Sequence, residues 1–353
     1  MNKRIKACIK ELESLDCDAL IISDPHDIRY LTGYAKEGGY LLLEKYGHLN
    51  YFVNFIYTKA AQEITCWQIT IAEPHTGIIT AIAKKIKKSK YKHIGFEGKT
   101  FSFEEYQMLN DSLNQKQKLV EVGGIIKKIR MIKTSHEIAL IKKSIGISKE
   151  AFEFVKYIVC SNMDEKNLSI EIERFLRLKG DNEVAFKPIV AAGQNTIFPH
   201  HIPTNTKIGK KNCLIDLGSK YYGYCADLTR IFFWSKMPSL FTKIYATILK
   251  AYDLSIKNIK DGAMACDIDK AARELIDKKG WGKFFGHGLG HGVGLSVHEP
   301  PFINPKSTDI LKEGMVITIE PAIYFKDRFG IRIEDMVLVK SKKGEVISGD
   351  FDR

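Results

Sequence analysis

Two apolar runs with the composition of buried β-strands each contain an aspartate, and this combination restricts the fold more than any other feature. Asp216 lies in CLIDLG, and Asp227 lies in CADLTRIFF eleven residues later. Gly218, Ser219 and Gly223 stand between the runs, so we expect the runs to pair as a hairpin. A carboxylate buried on such a strand is costly unless a cation or hydrogen-bond donors face it. The alternative is that both residues are turn or edge aspartates.

A second segment, FFGHGLGHGVGLSVH, contains His287, His291 and His298, with glycines at alternate positions from Gly286 to Gly294. Glycine lets the backbone approach a ligand closely and adopt unusual dihedral angles. Imidazole is the strong metal ligand and acid–base group of this apolar segment. One such histidine could be a hydrogen-bonded core residue, but three within twelve positions indicate a functional site.

Two glutamates lie in apolar runs nearer the C-terminus. Glu320 follows MVITI and precedes a proline, and Glu334 lies in GIRIEDMVLV. The runs Cys225–Phe233, Met315–Tyr324 and Gly330–Val339 are strand-like, and Glu320 ends the apolar strand that precedes it. Arg332 and Glu334 would then share one face of a strand, because side chains alternate with a period of two. Each glutamate alone could be an ordinary, half-exposed strand residue.

Together these residues offer a set of four carboxylates, Asp216, Asp227, Glu320 and Glu334, and one imidazole from the three histidines. Hard oxygen donors without a thiolate suit two divalent ions, with Mn²⁺ preferred and Co²⁺ or Zn²⁺ as alternatives, better than a structural zinc. Without cations, mutual repulsion would protonate some of the four carboxylates. Two ions about 3.5–4 Å apart can deprotonate a water between them and polarise a carbonyl, which is the chemistry of hydrolysis.

The motifs IDLG, ADLTR, GHGLGHGVGLSVHE, TIEPAIY and IRIED occur in this order. In these motifs the chain resembles the pita-bread metallopeptidases, specifically the branch of Xaa-Pro aminopeptidases (aminopeptidase P) and Xaa-Pro dipeptidases (prolidases). The resemblance implies that two of these residues, Asp227 and Glu334, bridge the two ions, and that the full set of metal ligands is Asp216, Asp227, His291, Glu320 and Glu334. SDPHDIRYLTGY resembles part of the family's smaller N-terminal domain, and KKIRMIKTSHEIALIKKS resembles the helix that opens its catalytic domain.

The resemblance also implies roles for residues around the metals. His200, in AAGQNTIFPHHIPTN, matches a substrate-side histidine of the family, and His287 and His298 match two others. Arg332 matches an arginine that orients a carboxylate. In the implied mechanism a hydroxide bridging the ions attacks the carbonyl of an N-terminal residue, and Glu320 shuttles the water proton. His298 and His200 hold the oxyanion or the leaving nitrogen.

The substrate implied by the resemblance is a peptide with proline in the second position. The bond before proline is a tertiary amide without an N–H, so a pocket for the ring, and not an amide contact, can select it. We expect an Xaa-Pro aminopeptidase; a dipeptidase restricted to Xaa-Pro dipeptides is the alternative, and the sequence does not distinguish them. Lys187 and His201 differ from the residues common in relatives near the substrate side, so they bear on substrate preference.

Other functions on related folds fit the sequence less well. A non-enzymatic binding module would typically have lost metal ligands, and all five are present. Creatine-type hydrolysis does without metals, and a methionine aminopeptidase would not need the first 125 residues.

Strands alternate with helices in the first 125 residues, which predicts an α/β domain. Gly123 and Gly124 mark a join, after which long helices and hairpin-connected strands indicate an α+β domain. We therefore predict two domains, residues 1–124 and 125–353. The resemblance identifies the first as a creatinase-like N-terminal domain and the second as a pita-bread catalytic domain.

Composition indicates a cytoplasmic protein that does not bind membranes or nucleic acid. No run approaches the roughly 18 apolar residues of a membrane span, and the charged N-terminus is not a secretory signal. Seven cysteines without a C-x-x-C pair fit reduced thiols. The net charge is +12, but the lysine-rich run over 84–92 is typical of the solvated face of an amphipathic helix. The resemblance implies a homodimer.

Overall fold

The computed structural model describes residues 3–33, 38–62, 69–75, 77–160, 162–234, 237–326 and 328–349. The chain divides into two compact units, Met1–Arg130 and Met131–Arg353. The predicted division after residue 124 differs from this one by the helix Ile125–Arg130. This helix belongs to the first unit because its Arg130 forms a buried ion pair of 2.6 Å with Asp27. Its Lys127 lies 3.1 Å from Asp24 in the same unit.

The first unit is built on a six-stranded mixed sheet with helices. Its elements are α1 (Lys3–Ser14), β1 (Ala19–Ile22), α2 (Pro25–Thr32), β2 (Gly39–Glu44), β3 (Leu49–Val53), α3 (Thr58–Ala61), β4 (Ile69–Ala72), α4 (Ile78–Lys88), β5 (His93–Phe96), α5 (Phe103–Ser112), β6 (Lys118–Glu121) and α6 (Ile125–Arg130). The strand order is β4-β3-β2-β1-β5-β6. The pairs β1–β2 and β2–β3 are antiparallel, and the other neighbours are parallel.

Local sequence signals account for the helices of this unit. Ile79, Ile82 and Ile86 are buried on one face of α4, and the lysines of the same helix lie on its exposed face. The helix α5 begins with a complete capping box between Ser102 and Glu105. A helix was also expected near 58–65; α3 covers its start, and residues 63–65 lie outside the described residues.

The second unit combines long helices with antiparallel strands. Its elements are α7 (Ser135–Ile158), α8 (Glu165–Lys179), β7 (Ile189–Ala192), β8 (Asn212–Leu217), β9 (Lys220–Tyr221), β10 (Tyr224–Cys225), β11 (Leu228–Phe233), α9 (Ser239–Asn258), α10 (Ala265–Lys278), β12 (Gly290–Gly292), β13 (Glu299–Ile303), β14 (Val316–Ile319), β15 (Ala322–Phe325), β16 (Phe329–Arg332), β17 (Asp335–Val339) and β18 (Gly344–Val346). The sheets are β11-β8-β7, β13-β12-β14-β17-β18, β15-β16 and β10-β9. Apolar residues of α9 and α10 pack with β14 and β17 in one core. Within the described ranges, no helix is long and apolar enough to cross a membrane.

Three strand-like runs of the sequence are each divided into two strands, and an acidic residue stands at each division; at Glu320 this agrees with the predicted end of a strand. Asp227 separates β10 from β11, Glu320 separates β14 from β15, and Glu334 separates β16 from β17. In every case the two halves belong to different sheets. The single strand predicted to carry both Arg332 and Glu334 ends at Arg332, and the sequence does not show this break because the apolar pattern continues across it. At Glu320 the following proline also lacks the N–H that a strand would use.

Candidate metal centre

A cavity of about 780 Å³ in the second unit brings together all nine predicted site residues. The five predicted metal ligands line it, as do the predicted His200, His287, His298 and Arg332. These residues come from segments that lie far apart in the sequence. Buried carboxylates need a cation or hydrogen-bond donors close by, and this convergence provides a place for both.

Strand pairing places the carboxylates. Asp216 lies in β8, directly opposite Thr229 of β11 on one side and Ile189 of β7 on the other. Thr229 also forms a bridge to Glu334, whose N–H donates to the Thr229 carbonyl at 3.2 Å. Asp227 lies immediately before β11. The strand β11 therefore positions three of the four carboxylates, which confirms the predicted pairing of the two aspartate-containing runs.

Ligand atoms of these residues are close enough to share metal ions. Three groups have their ligand atoms within 4.8 Å of one another: Asp216, Asp227 and Glu334; His291, Glu320 and Glu334; and Asp227, His291 and His298. Asp227 and Glu334 each belong to two of the groups. The arrangement could hold two adjacent cations that share carboxylates. The structure also places His298, which the sequence did not include among the metal ligands, within reach of a metal.

The ring of His291 gives a test of whether cations fit this site. Its Nδ1 lies 3.1 Å from the carbonyl oxygen of Gly292, which can only accept, so Nδ1 carries a proton. Burial and the neighbouring His298 lower the pKa of His291 to about 3, so the ring is neutral. Its Nε2 therefore presents a lone pair to oxygens of Asp227 and Glu320 at 3.6 and 3.5 Å. A lone pair facing two carboxylates needs a cation between them.

The carboxylates themselves repel one another. Burial and the charge of Glu334 raise the pKa of Asp227 and of Glu320 well above their ordinary values. Burial and the charge of Asp216 raise the pKa of Glu334 to about 8. One oxygen of Asp216, Oδ1, is buried without a hydrogen-bond partner among the described residues. Divalent cations would relieve both the repulsion and the unmatched oxygen.

Arg332 is the buried cation that supports this cluster. Its Nη2 donates to Asp216 Oδ2 at 2.7 Å, and its Nε donates to Thr229 Oγ1 at 3.0 Å. The Thr229 hydroxyl donates in turn to Glu334 Oε2 at 2.7 Å. One guanidinium thus orients two carboxylates, directly or through the hydroxyl. The remaining donor, Nη1, contacts the Tyr324 hydroxyl at 2.6 Å.

The three other histidines differ in their environments. His287 Nδ1 lies 2.7 Å from the Gly288 carbonyl oxygen, and its Nε2 is buried without a partner among the described residues. Burial lowers the pKa of His287 to about 4, so this Nε2 is a hydrogen-bond acceptor. Burial also lowers the pKa of His298, although that side chain is exposed at the cavity. His200 is exposed at the same cavity.

The segment that carries His200 is held on both sides. Arg332 Nη1 donates to the Pro199 carbonyl at 3.2 Å, and the adjacent His201 contacts the fully buried Glu165 at 2.8 Å. Glu165 also accepts hydrogen bonds from Ala192, Asn195 and Thr204. His201, which the sequence linked to substrate preference, therefore anchors this segment.

Sequence reasoning missed Thr229, Tyr324 and Glu165. Thr229 and Tyr324 lie inside the motifs ADLTR and TIEPAIY. The motifs therefore included both residues but did not indicate that they contact Arg332. Glu165 stands at the first turn of α8 and resembles an ordinary helix-start glutamate. Its partners appear only in the folded chain.

Removal of metal should make the stability of this protein depend strongly on pH. The pKa of Glu334 is about 8 in the folded chain against an ordinary 4.5, so the folded state holds a proton that the unfolded state releases. The contribution of this proton to the free energy of unfolding is fully present below about pH 4.5 and is lost as the pH rises towards 8. We expect the melting temperature in EDTA to decrease from about pH 6 to about pH 9, and the difference from Mn²⁺-loaded protein to widen. Identical pH dependence with EDTA and with Mn²⁺ would contradict this.

Buried carboxylates and a neutral imidazole gathered at a cavity in an α+β domain define the class of metal-dependent hydrolases. Comparison with known proteins identifies the family within this class. Residues 139–341 match Metallopeptidase family M24, and residues 4–132 match the Creatinase/Prolidase N-terminal domain. The chain belongs to metallopeptidase family M24.

Relatives resemble the chain over nearly its whole length. It is 30% identical to the Xaa-Pro dipeptidase of Pyrococcus furiosus, covering 96% of this chain and 95% of that protein. It superposes on the Xaa-Pro dipeptidase from Bacillus anthracis with a TM-score of 0.93 and 29% identity, covering 99% and 97% of the two chains. It superposes on the X-Pro aminopeptidase from Thermotoga maritima with a TM-score of 0.85 and 30% identity, covering 96% of this chain and 97% of that chain. The predicted family and the predicted pita-bread fold with a creatinase-like N-terminal domain are confirmed.

Proposed function

We propose that this chain hydrolyses the bond between an N-terminal residue and a proline in the second position, using two divalent ions. The ions would be held by Asp216, Asp227, His291, Glu320 and Glu334. The observation that carries this proposal is the His291 Nε2 lone pair facing carboxylate oxygens of Asp227 and Glu320. Proline specificity is supported by relatives named Xaa-Pro dipeptidase and X-Pro aminopeptidase.

When bound, such ions supply a water of lowered pKa and polarise the scissile carbonyl. Glu320 is the carboxylate best placed to move the proton of that water. Its side chain is 16% exposed, against 10% for Asp216 and 6% for Asp227, so it is the most accessible of these three from the cavity. Asp216 and Glu334 are fixed by Arg332 and Thr229, which suits them to holding metal rather than moving protons.

His298 and His200 would act on the substrate from the exposed side of the cavity. The leaving proline nitrogen has no N–H and must gain a proton as the C–N bond breaks. Imidazole can donate a hydrogen bond to the oxyanion or deliver that proton. His287 lines the same cavity, and its Nε2 is a buried acceptor without a partner among the described residues.

Apolar side chains of the cavity can select the proline ring. They are Phe186, Ile189, Ile202, Val297 and Phe302. The cavity of about 780 Å³ lies in the upper part of the range of roughly 300–1,000 Å³ that is usual for small-molecule sites. We propose an aminopeptidase, which also accepts residues beyond the proline, with the dipeptidase as the alternative. We propose Mn²⁺ as the ion, because hard oxygen ligands dominate the set. The cytoplasmic location and the homodimer stay predictions.

Purified protein should cleave Ala-Pro and Ala-Pro-Ala but not Ala-Ala or Ala-Ala-Ala. We expect EDTA to abolish cleavage and Mn²⁺ to restore it in the same sample, which serves as its own control. Peptide products identified by mass spectrometry check the position of the cut. Cleavage of the proline-free peptides at a similar rate would contradict proline specificity. Cleavage of Ala-Pro without cleavage of Ala-Pro-Ala would contradict the aminopeptidase activity and support the dipeptidase activity.

A further inference from the structure

Lys187 is a cation at the cavity that the proposed mechanism does not use. The other cation that lines the cavity, Arg332, is fully engaged by Asp216, Thr229, Tyr324 and the Pro199 carbonyl. Lys187 is exposed, and its ammonium group has no hydrogen-bond or ion-pair partner among the described residues. It is therefore available to a bound molecule.

Lys187 lies two residues before Ile189, the first residue of β7, and lines the cavity together with the candidate metal ligands. Pro188 restricts Lys187 to an extended conformation, and Ser169 Oγ fixes the Pro188 carbonyl with a hydrogen bond of 3.0 Å. Ile189, the next residue in this extended stretch, pairs with Asp216. Paired residues, and residues two apart on a strand, present side chains to the same face.

This register gives the offset of Lys187 along the strand direction. At about 3.3 Å per residue, Lys187 stands roughly 7 Å along the strand direction from the position opposite Asp216. A substrate whose scissile carbonyl lies beside Asp216 would extend its flanking groups over such a distance. The sequence neighbours of Lys187 that line the cavity, Phe186, Pro188 and Ile189, are apolar.

We propose that Lys187 binds a carboxylate of the peptide substrate and so sets the substrate preference of this chain. The proposal rests on the proposed function. A peptide offers this group from two sources: the free C-terminus of an Xaa-Pro dipeptide, or an acidic side chain before the proline. Either source places one negative charge near a single unpaired ammonium group. Because Lys187 is exposed, the attraction is screened by salt.

Matched substrates separate the two sources. The ratio of kcat/KM for Ala-Pro over Ala-Pro-amide reports on the C-terminal carboxylate, and the ratio for Glu-Pro-amide over Gln-Pro-amide reports on the side chain. We expect one ratio to be about tenfold in the natural protein at low salt, to approach one in Lys187→Gln and to invert in Lys187→Glu. The same ratio should decrease at high salt. Lys243→Glu, an equal charge change at an exposed position of α9 outside the cavity, should leave both ratios unchanged.

The outcomes distinguish this proposal from the proposed function. If the natural protein cleaves Ala-Pro-amide but Lys187→Glu leaves both ratios unchanged, Lys187 does not bind the carboxylate and the peptidase assignment is unaffected. If the natural protein with Mn²⁺ cleaves none of the four substrates, the proposed function and the role of Lys187 both fail. The metal content of each variant, measured in parallel, shows whether the centre itself is intact.

Discussion

Replacing Asp227 by asparagine should abolish Xaa-Pro hydrolysis and, at the same time, stabilise the metal-free protein. Asp227 belongs to two of the three groups that could hold a metal ion, so its loss should reduce metal binding and lower turnover by roughly 10³-fold. In the absence of metal, the charges of Glu334, Asp216 and Glu320 oppose ionisation of this buried carboxylate. An amide of the same shape removes that repulsion. Loss of activity and gain of stability should therefore occur in the same variant.

The measurement combines metal content, activity with Mn²⁺ and melting temperature in EDTA at about pH 8, where the repulsion is large. Asp253→Asn, an exposed aspartate of α9, is the matched control and should change none of the three. An Asp227→Asn variant that keeps its metal and its activity would exclude Asp227 as a ligand. A variant that melts at a lower temperature in EDTA would show that the carboxylates do not repel one another as the geometry indicates.

Replacing His298 by alanine should reduce turnover by roughly 10²–10⁴-fold and leave the metal content unchanged. His298 is exposed at the cavity, and its ring centroid lies 4.3 Å from that of His291. Burial lowers its pKa, so a neutral ring is available at neutral pH to exchange a proton with the reacting groups. The effect should fall on kcat more than on KM, because the hydrogen bond strengthens as charge develops.

Metal content decides between two roles for His298, since its ligand atom also lies within 4.8 Å of those of Asp227 and His291. Loss of one ion in His298→Ala would identify a ligand, and unchanged turnover would exclude both roles. His298→Gln keeps a hydrogen-bond donor and should recover part of the activity. His136→Ala, at an exposed histidine of α7, controls for the loss of an imidazole elsewhere.

The nine predicted site residues could be named from the sequence because their chemistry is unusual for the segments in which they lie. Carboxylates inside apolar runs must meet a cation, and glycine-flanked histidines are the matching partners. The motifs and their resemblance to a known family then assigned the individual residues. The convergence of these residues at one cavity agrees with that reasoning.

The geometry around them could not be predicted, because the decisive contacts join distant segments. Thr229 contacts Glu334 across 105 positions, and Arg332 contacts Asp216 across 116. No local pattern marks the hydroxyl of a threonine as a link between a guanidinium and a carboxylate. For the same reason the sequence did not reveal how Glu165 and His201 anchor the segment that carries His200.

The amino-acid sequence by itself determined the kinds of ligand, the order in which they occur and the α/β and α+β character of the two halves. These follow from local composition, since hydrophobic period and residue chemistry are properties of short segments. Only the tertiary structure decided that Asp227, Glu320 and Glu334 stand where the chain passes from one sheet to another. Apolar runs have the same pattern whether a strand continues or changes sheets, because both halves are buried. Pairing between distant strands, which no short segment specifies, selects the break and thereby directs each carboxylate into the cavity.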